Sequence, residues 1–327
     1  MKSIKLPLWT ERLLGIDPRP APPHAFTLDG QRLTYAAIQR QGGGYRLERR
    51  VAAELPAGCF QSGLLGGPLR DPEVLGHALR QVLAEVEGPV AEASLVLPDA
   101  WLRVAFSEVA ELPRDAAARD QVLRWKLKRL VPFRVEELRV EGVEVPPLNQ
   151  QQEPRRLMLG FALESLLDQV ESQFQAAGVR LGRIVNASLS LLAALDASGD
   201  ELYALALIEP PGYALVFARG GRPLLHRYKA SSSTAMDPAA ARLVTRDLKL
   251  TRSFLEESFP AARLAGSLLA APPELEGLWQ DWLEEGLGAP VEALQGRHLP
   301  ALEQTADAVL PWFEVAPLLG AVHQEVR

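Results

Sequence analysis

Near the start of the chain, apolar and polar positions alternate with period two in successive stretches. Ala25–Leu28 is apolar and runs into Asp29-Gly30, a strong turn signal, after which Leu33, Tyr35 and Ala37 alternate with their neighbours. A glycine-rich turn at Gln41–Gly44 leads to Tyr45, Leu47, Arg49 and Val51 on the same period. The period then changes. Asp71-Pro72 sets a capping carboxylate and a first-turn proline ahead of Val74, Leu75, Ala78, Leu79, Val82, Leu83 and Val86, one helical stripe. Ala93–Leu97 reads as a short buried strand ending at Pro98-Asp99. Three strands, a helix and a strand open an α/β domain.

Asp115 to Val145 has the most distinctive pattern. Asp115 is a helix N-cap, and Leu123, Leu127 and Leu130 form one apolar face with Trp125 towards its edge. Arg124, Lys126, Lys128 and Arg129 cover the rest, and Pro132 ends the helix at Val131. After Phe133 and an acidic turn at Glu136-Glu137, Leu138, Val140, Val143 and Val145 predict a strand pair. Leu148–Pro154 is a polar loop. A strand at Arg156–Leu163, a helix stopped by Gly178, a strand at Val179–Val185 and a helix at Ser188–Ala197 follow. A second unit begins with a buried strand, Leu202–Ile208, and Tyr213–Ala218 pairs with Leu224–Tyr228 across Gly220-Gly221. The loop Ser231–Pro238 feeds a long helix, Ala239–Ser258. A strand at Arg263–Leu269, a helix carrying Leu278, Trp279, Trp282 and Leu283, and a strand at Val291–Leu294 come next. Two helical pieces, interrupted at Pro311 and Pro317, close the chain. The openings at Ala25 and Leu202 echo each other, as in a duplicated fold.

The 327 residues suit about two domains. A net charge of −6 gives no reason to expect nucleic acid. The single cysteine, Cys59, cannot form an intrachain disulfide and fits a reducing compartment. No apolar run is long enough to cross a bilayer, and prolines and charges interrupt the start, MKSIKLPLWTERLLGI, unlike a signal peptide. These features predict a soluble cytoplasmic protein. Residues 1–23 stand apart: Ile4–Trp9 is apolar and contains a proline, and Pro18–Pro23 is an extended connector.

The passage W-x-x-x-x-x-x-P-F-x-x-E-E, from Trp125 to Glu137, resembles subdomain 1C of the type IV pilus assembly protein PilM family. That family is actin-like and related to FtsA and to the cytoplasmic domain of the secretion protein GspL. Phe174–Leu195, Leu275–Leu294 and Ala316–Val322 are similar to later passages of the same family, in the same order. The resemblance implies an α/β, actin-like (ribonuclease H-like, duplicated) fold. It places part of subdomain 1A at 24–99, 1C at 100–163, a return into 1A at 164–200, domain II at 201–297, and C-terminal helices packing back on 1A at 298–327. Subdomain IIB should be reduced or absent, because the chain passes through Ser231–Pro238 straight into a helix.

Actin-like nucleotide binding needs backbone turns that approach phosphates and acids that hold a metal. By the resemblance, the first phosphate turn falls at Asp29-Gly30, the second at Glu209-Pro210-Pro211-Gly212, and the adenosine element at Gly266. The first has lost its small hydroxyl residues. Two prolines remove two amide donors from the second, and the third keeps one glycine. The expectation is a degenerate site with no cofactor, no metal and no catalysis. The resemblance further implies a scaffold of a pilus or type II secretion platform, bound to the short "I-N-L-L-P" cytoplasmic tail of a PilN-like bitopic inner-membrane protein. It would meet the membrane only through that partner. An assembly motor ATPase and self-association are further candidate partners. Leu97, Pro98, Asp99, Trp101, Arg103, Arg124, Lys128, Pro132 and Phe133 are the candidate groove for the tail, with Trp101 and Phe133 read equally well as core. The tail-like Ile4–Trp9 is a candidate competitor for that groove.

Two other readings stay open on sequence: an actin-like ATPase or sugar-kinase-like enzyme using Asp29 or Glu209, and an unrelated α/β interaction domain. His24, His77, His226, His298 and His323 lie far apart with no metal-ligand spacing. No Walker-type or G-x-S-x-G motif occurs.

Overall fold

The computed structural model describes residues 21–61, 65–132, 134–145, 155–195, 201–209, 212–230, 238–259, 263–305 and 310–323. The first lobe begins with β1 (His24–Leu28), β2 (Arg32–Gln41), β3 (Gly44–Glu54), α1 (Pro72–Ala84) and β4 (Glu92–Leu97). An inserted unit follows: β5 (Arg103–Val109), α2 (Ala116–Lys128), β6 (Leu138–Val145) and β7 (Arg155–Leu163). The chain returns through α3 (Glu164–Ala176), β8 (Arg180–Asn186) and α4 (Ala187–Ala194). The second lobe comprises β9 (Leu202–Glu209), β10 (Gly212–Arg219), β11 (Arg222–Ala230), α5 (Pro238–Ser258), β12 (Leu264–Ala270), α6 (Pro273–Leu287) and β13 (Val291–Ala293). The short β14 (Leu302–Gln304) and α7 (Trp312–Val322) come last.

Three sheets result, ordered β14-β3-β2-β1-β4-β8, β11-β10-β9-β12-β13 and β5-β7-β6. In each of the two larger sheets an antiparallel three-strand meander continues into parallel strands. The apolar faces explain the layering. Phe26, Leu28 and Leu95 face α1 and α3, while Ala25, Val96 and Val185 turn to the other side. There α4 and α7 lie between the two sheets, meeting Leu205, Leu207 and Val216 of the second. The outer face of that sheet is covered by α5 and α6 through Leu248, Leu255, Trp279 and Leu283. Asp71 and Asp115 cap α1 and α2 as predicted, with the Ala118 amide donating to Asp115 at 2.8 Å.

Several elements differ from the sequence reading. Leu138–Val145 is one strand, not a pair, and it hydrogen-bonds to β7 along its whole length. Leu130 lies beyond the end of α2 and is 47% exposed, so the apolar face is only Leu123 and Leu127. β5 and β14 were not foreseen. Pro317 sits inside α7 instead of breaking it. The Ser188–Ala197 helix ends at Ala194. Among the described residues no helix is long and apolar enough to cross a membrane.

Candidate functional site

The parallel strands of both lobes point their C-terminal ends at one cleft. β1 delivers the Asp29 turn, β4 the loop Pro98-Asp99, β8 the Asn186 cap of α4, and β9 Glu209. From the antiparallel side β11 brings His226 and Tyr228. This convergence follows from the topology, since strand ends are where loops of a parallel sheet gather.

Asp99 is the centre of the cleft and has no exposed surface. Its Oδ1 accepts from Ser188 Oγ at 2.6 Å and from His226 Nε2 at 2.6 Å, and its Oδ2 accepts from the Ser188 amide at 3.0 Å. Asn186 Oδ1 lies 2.9 Å from Ser188 Oγ and accepts the Leu189 amide at 3.0 Å, which fixes the start of α4. Across the cleft, Glu209 Oε2 accepts the Asp99 amide at 3.3 Å, joining the lobes. Burial holds the Glu209 carboxyl above its ordinary range, and the nearby charges of Asp99 and Asp29 push the same way. Arg103 places its guanidinium 4.7 Å from the Tyr228 ring centroid, at the rim.

Ser, His and Asp meet here, but not in a nucleophile's order. Acyl-transfer chemistry needs histidine between hydroxyl and carboxylate. Here Ser188 Oγ and His226 Nε2 lie 3.1 Å apart but both turn to the same carboxylate oxygen, His226 Nδ1 is buried without a partner among the described residues, and Ser188 is wholly buried. The cluster is a structural knot. Sequence reasoning missed it, because Asp99, Ser188 and His226 share no local motif.

At the first expected phosphate turn, the donors are taken by the turn's own side chain. Asp29 Oδ1 accepts the Gln31 amide at 2.7 Å and the Arg32 amide at 2.8 Å, so the turn's donors face their own carboxylate. Gly212 is needed for packing: a Cβ there would overlap the Tyr228 hydroxyl and the Lys229 carbonyl. Pro210 and Pro211 lie outside the described residues. Gly266 is not in the cleft. It pairs with Tyr203 at the start of β9, at the opposite end of the sheet from Glu209, because β12 runs on to Ala270. Seven positions, 231–237, join β11 to α5. Among the described residues no cluster of three or more His, Cys, Asp or Glu side chains is placed to hold a metal ion.

The residues expected to line a peptide groove fall into two sets. Leu97, Pro98, Asp99, Trp101 and Arg103 belong to the cleft side. Leu97 and Asp99 are fully buried, and Trp101 is packed 4.5 Å from the Phe60 ring in the core, so these three support the site from beneath instead of lining it. Pro98 and Arg103 are part-exposed. On the inserted unit, Arg124 turns inward: it bonds Asp120 at 2.7 Å and the carbonyls of Val135 and Leu138. Lys128 and Pro132 are exposed. Phe133 and the segment Ile4–Trp9 lie outside the described residues.

No protein-family model matches the sequence, and no curated protein matches it. Solved structures do. The fold matches the "PilM-PilN type IV pilus biogenesis complex" with a TM-score of 0.69 at 18% identity, over 93% of this chain and 97% of that one. It matches a Bacteroides thetaiotaomicron protein with an actin-like ATPase fold and unknown function at TM-score 0.50 and 11% identity, over 83% and 90% of the two chains. The cytoplasmic domain of EpsL, an inner-membrane component of the Vibrio cholerae type II secretion system, matches at TM-score 0.48 and 10% identity, over 91% and 94%. The fold is actin-like, as the sequence predicted.

Proposed function

We propose that this protein is a non-catalytic scaffold at the inner-membrane platform of a type IV pilus or type II secretion machine. It holds the cytoplasmic tail of a PilN-like bitopic membrane protein. The observation that carries this reading is the end-to-end match to the PilM-PilN complex, over 97% of that chain, with no large part left over on either side. The cleft supports it from chemistry. Where a nucleotide-binding relative would offer open amides, the Asp29 carboxylate and Glu209 already occupy the Gln31, Arg32 and Asp99 donors. A phosphate would have to displace the carboxyl groups of Asp29 and Glu209 and enter beside buried Asp99. The rival enzyme reading would need those three amides free.

The tail meets part-exposed Pro98 and Arg103 on the cleft side and Lys128 and Pro132 on the inserted unit, by strand addition with apolar side chains in alternate pockets. Calorimetric titration of the full chain with a synthetic Ile-Asn-Leu-Leu-Pro tail peptide tests it. Saturable binding that weakens in Lys128→Glu is expected. A peptide that gives no saturable heat while Mg-ATP does would replace the scaffold with the enzyme.

A further inference from the structure

The twelve residues from Gln121 to Pro132 contain four cations and no carboxylate, in a chain whose net charge is −6. Arg124 is spent inside the unit on Asp120 and two carbonyls. The other three, Lys126, Lys128 and Arg129, have no carboxylate partner among the described residues. Gln121, Trp125, Lys128 and Arg129 are spaced i, i+4, i+7 and i+8, so they share the outer face of α2, opposite buried Leu123 and Leu127. At the centre of that face Trp125 is 55% exposed, with Lys126 Nζ 5.2 Å and the Arg129 guanidinium 5.5 Å from its ring centroid. Leu130, 47% exposed, continues the apolar strip just past the helix.

More than half of the indole is left in water, beside two cations, while Leu123 and Leu127, with part-buried Val122, seat α2 on its sheet. The cavities of about 460 and 430 Å³ take no residue from α2. Its charges are mostly lysine point charges, which suit a diffuse negative surface better than the fixed carboxylates of a protein partner, where arginine forks would be favoured. Tryptophan with flanking Lys and Arg is the composition that settles at a headgroup layer. We propose that the outer face of α2, with Trp125 and Leu130 as anchors and Lys126 and Arg129 as counter-charges, docks directly on an anionic phospholipid membrane. The inserted unit then lies against the bilayer independently of any tail held by the protein.

The other exposed apolar stripe, Leu243, Leu250 and Phe254 on α5, provides the contrast. Of the four cations beside it, Lys249 pairs with Glu285 at 2.8 Å and Arg252 with Glu256 at 3.3 Å, while Arg242 and Arg246 stay exposed. The stripe differs from the α2 face in having no exposed tryptophan among the described residues and in having half of its cations paired.

The test is flotation of the full chain with vesicles of phosphatidylcholine alone and of phosphatidylcholine mixed in equal parts with phosphatidylglycerol. Binding to the anionic vesicles only, released in about 1 M salt where the Debye length falls to about 3 Å, is expected. The double variant Lys126→Glu/Arg129→Glu should lose on the order of 30-fold in vesicle affinity or more, and Trp125→Ala should weaken it independently. Both should keep the wild-type melting curve, because the changed side chains are on the surface. Leu243→Ser/Leu250→Ser should float like the wild type. Equal binding to neutral vesicles, loss of flotation only in the α5 variant, or no flotation at all would overturn the proposal. So would α2 variants that float normally but fail to bind the tail peptide, since that result gives the face to a protein partner. The tail-peptide titration reads the scaffold proposal separately, so either idea can fail alone.

Discussion

Asp99 and Glu141 are both carboxylates with almost no exposed surface, and their neighbours treat them in opposite ways. Asp99 is answered by two side chains and an amide. Glu141 on β6 has an Oε1 without any partner among the described residues, and burial pushes its pKa from 4.5 up to about 8, only partly opposed by Arg139. The folded protein therefore holds this proton more tightly than the unfolded chain does. The stability that goes with it is complete below about pH 4.5 and is lost as the pH rises towards 8. Wild-type stability should fall across that window by at most a few kcal/mol, and Glu141→Gln should flatten the fall and be the more stable protein at pH 8. Urea unfolding at several pH values checks this, with parallel profiles for the two proteins as the contrary outcome. Glu209 titrates in the same direction in both proteins, so it cancels from the comparison. Residue roles of this kind were poorly legible in the sequence. Asp99 could be seen at the end of a buried strand, but its partner His226 is 127 positions away, and nothing near either announces the other.

Helix α2 was legible because its signals are local. Asp115 caps it, two leucines one turn apart seat it, and Pro132 lies just beyond its end. Leu130 and Arg124 were misjudged for the same reason: a periodicity assigns faces, but the last turn had already left the helix, and a long basic side chain can reach back to carbonyls. Arg124 ties α2 to the 3-10 turn Val135–Glu137 and to Leu138. Arg124→Ala should thus cost about 1–3 kcal/mol by leaving those carbonyls without their charged donor. Lys128→Glu, on the outer face, should change stability by no more than about 0.5 kcal/mol. Chemical denaturation of the two variants side by side separates them, and equal small effects would mean that Arg124 is only a surface charge. β14 escaped the sequence reading because it is three residues long and pairs only with β3. β5 escaped because its central residues are part-exposed and its alternation is blurred.

At the scale of the whole molecule, the order of elements, strand meander, helix and parallel strand, was readable as α/β, while the actin-like class came from the resemblance carried by Trp125–Glu137 and the later passages. Each lobe then buries apolar faces on both sides of its sheet, with α4 and α7 shared between them. What a sequence cannot show is whether a turn's amides are open or already taken, and the state of this cleft depends on that. The Gln31 and Arg32 amides donate to Asp29, and the Asp99 amide donates to Glu209. The central claim is that this cleft is closed by its own side chains, leaving the actin-like frame to act as a scaffold. A thermal denaturation curve of the full chain with and without saturating Mg-ATP tests it most directly. A ligand at a hundred times its dissociation constant adds about 2.7 kcal/mol of stability, which moves the midpoint by several degrees. Superimposable curves are expected; a midpoint raised by that amount would mean that the cleft is open to nucleotide.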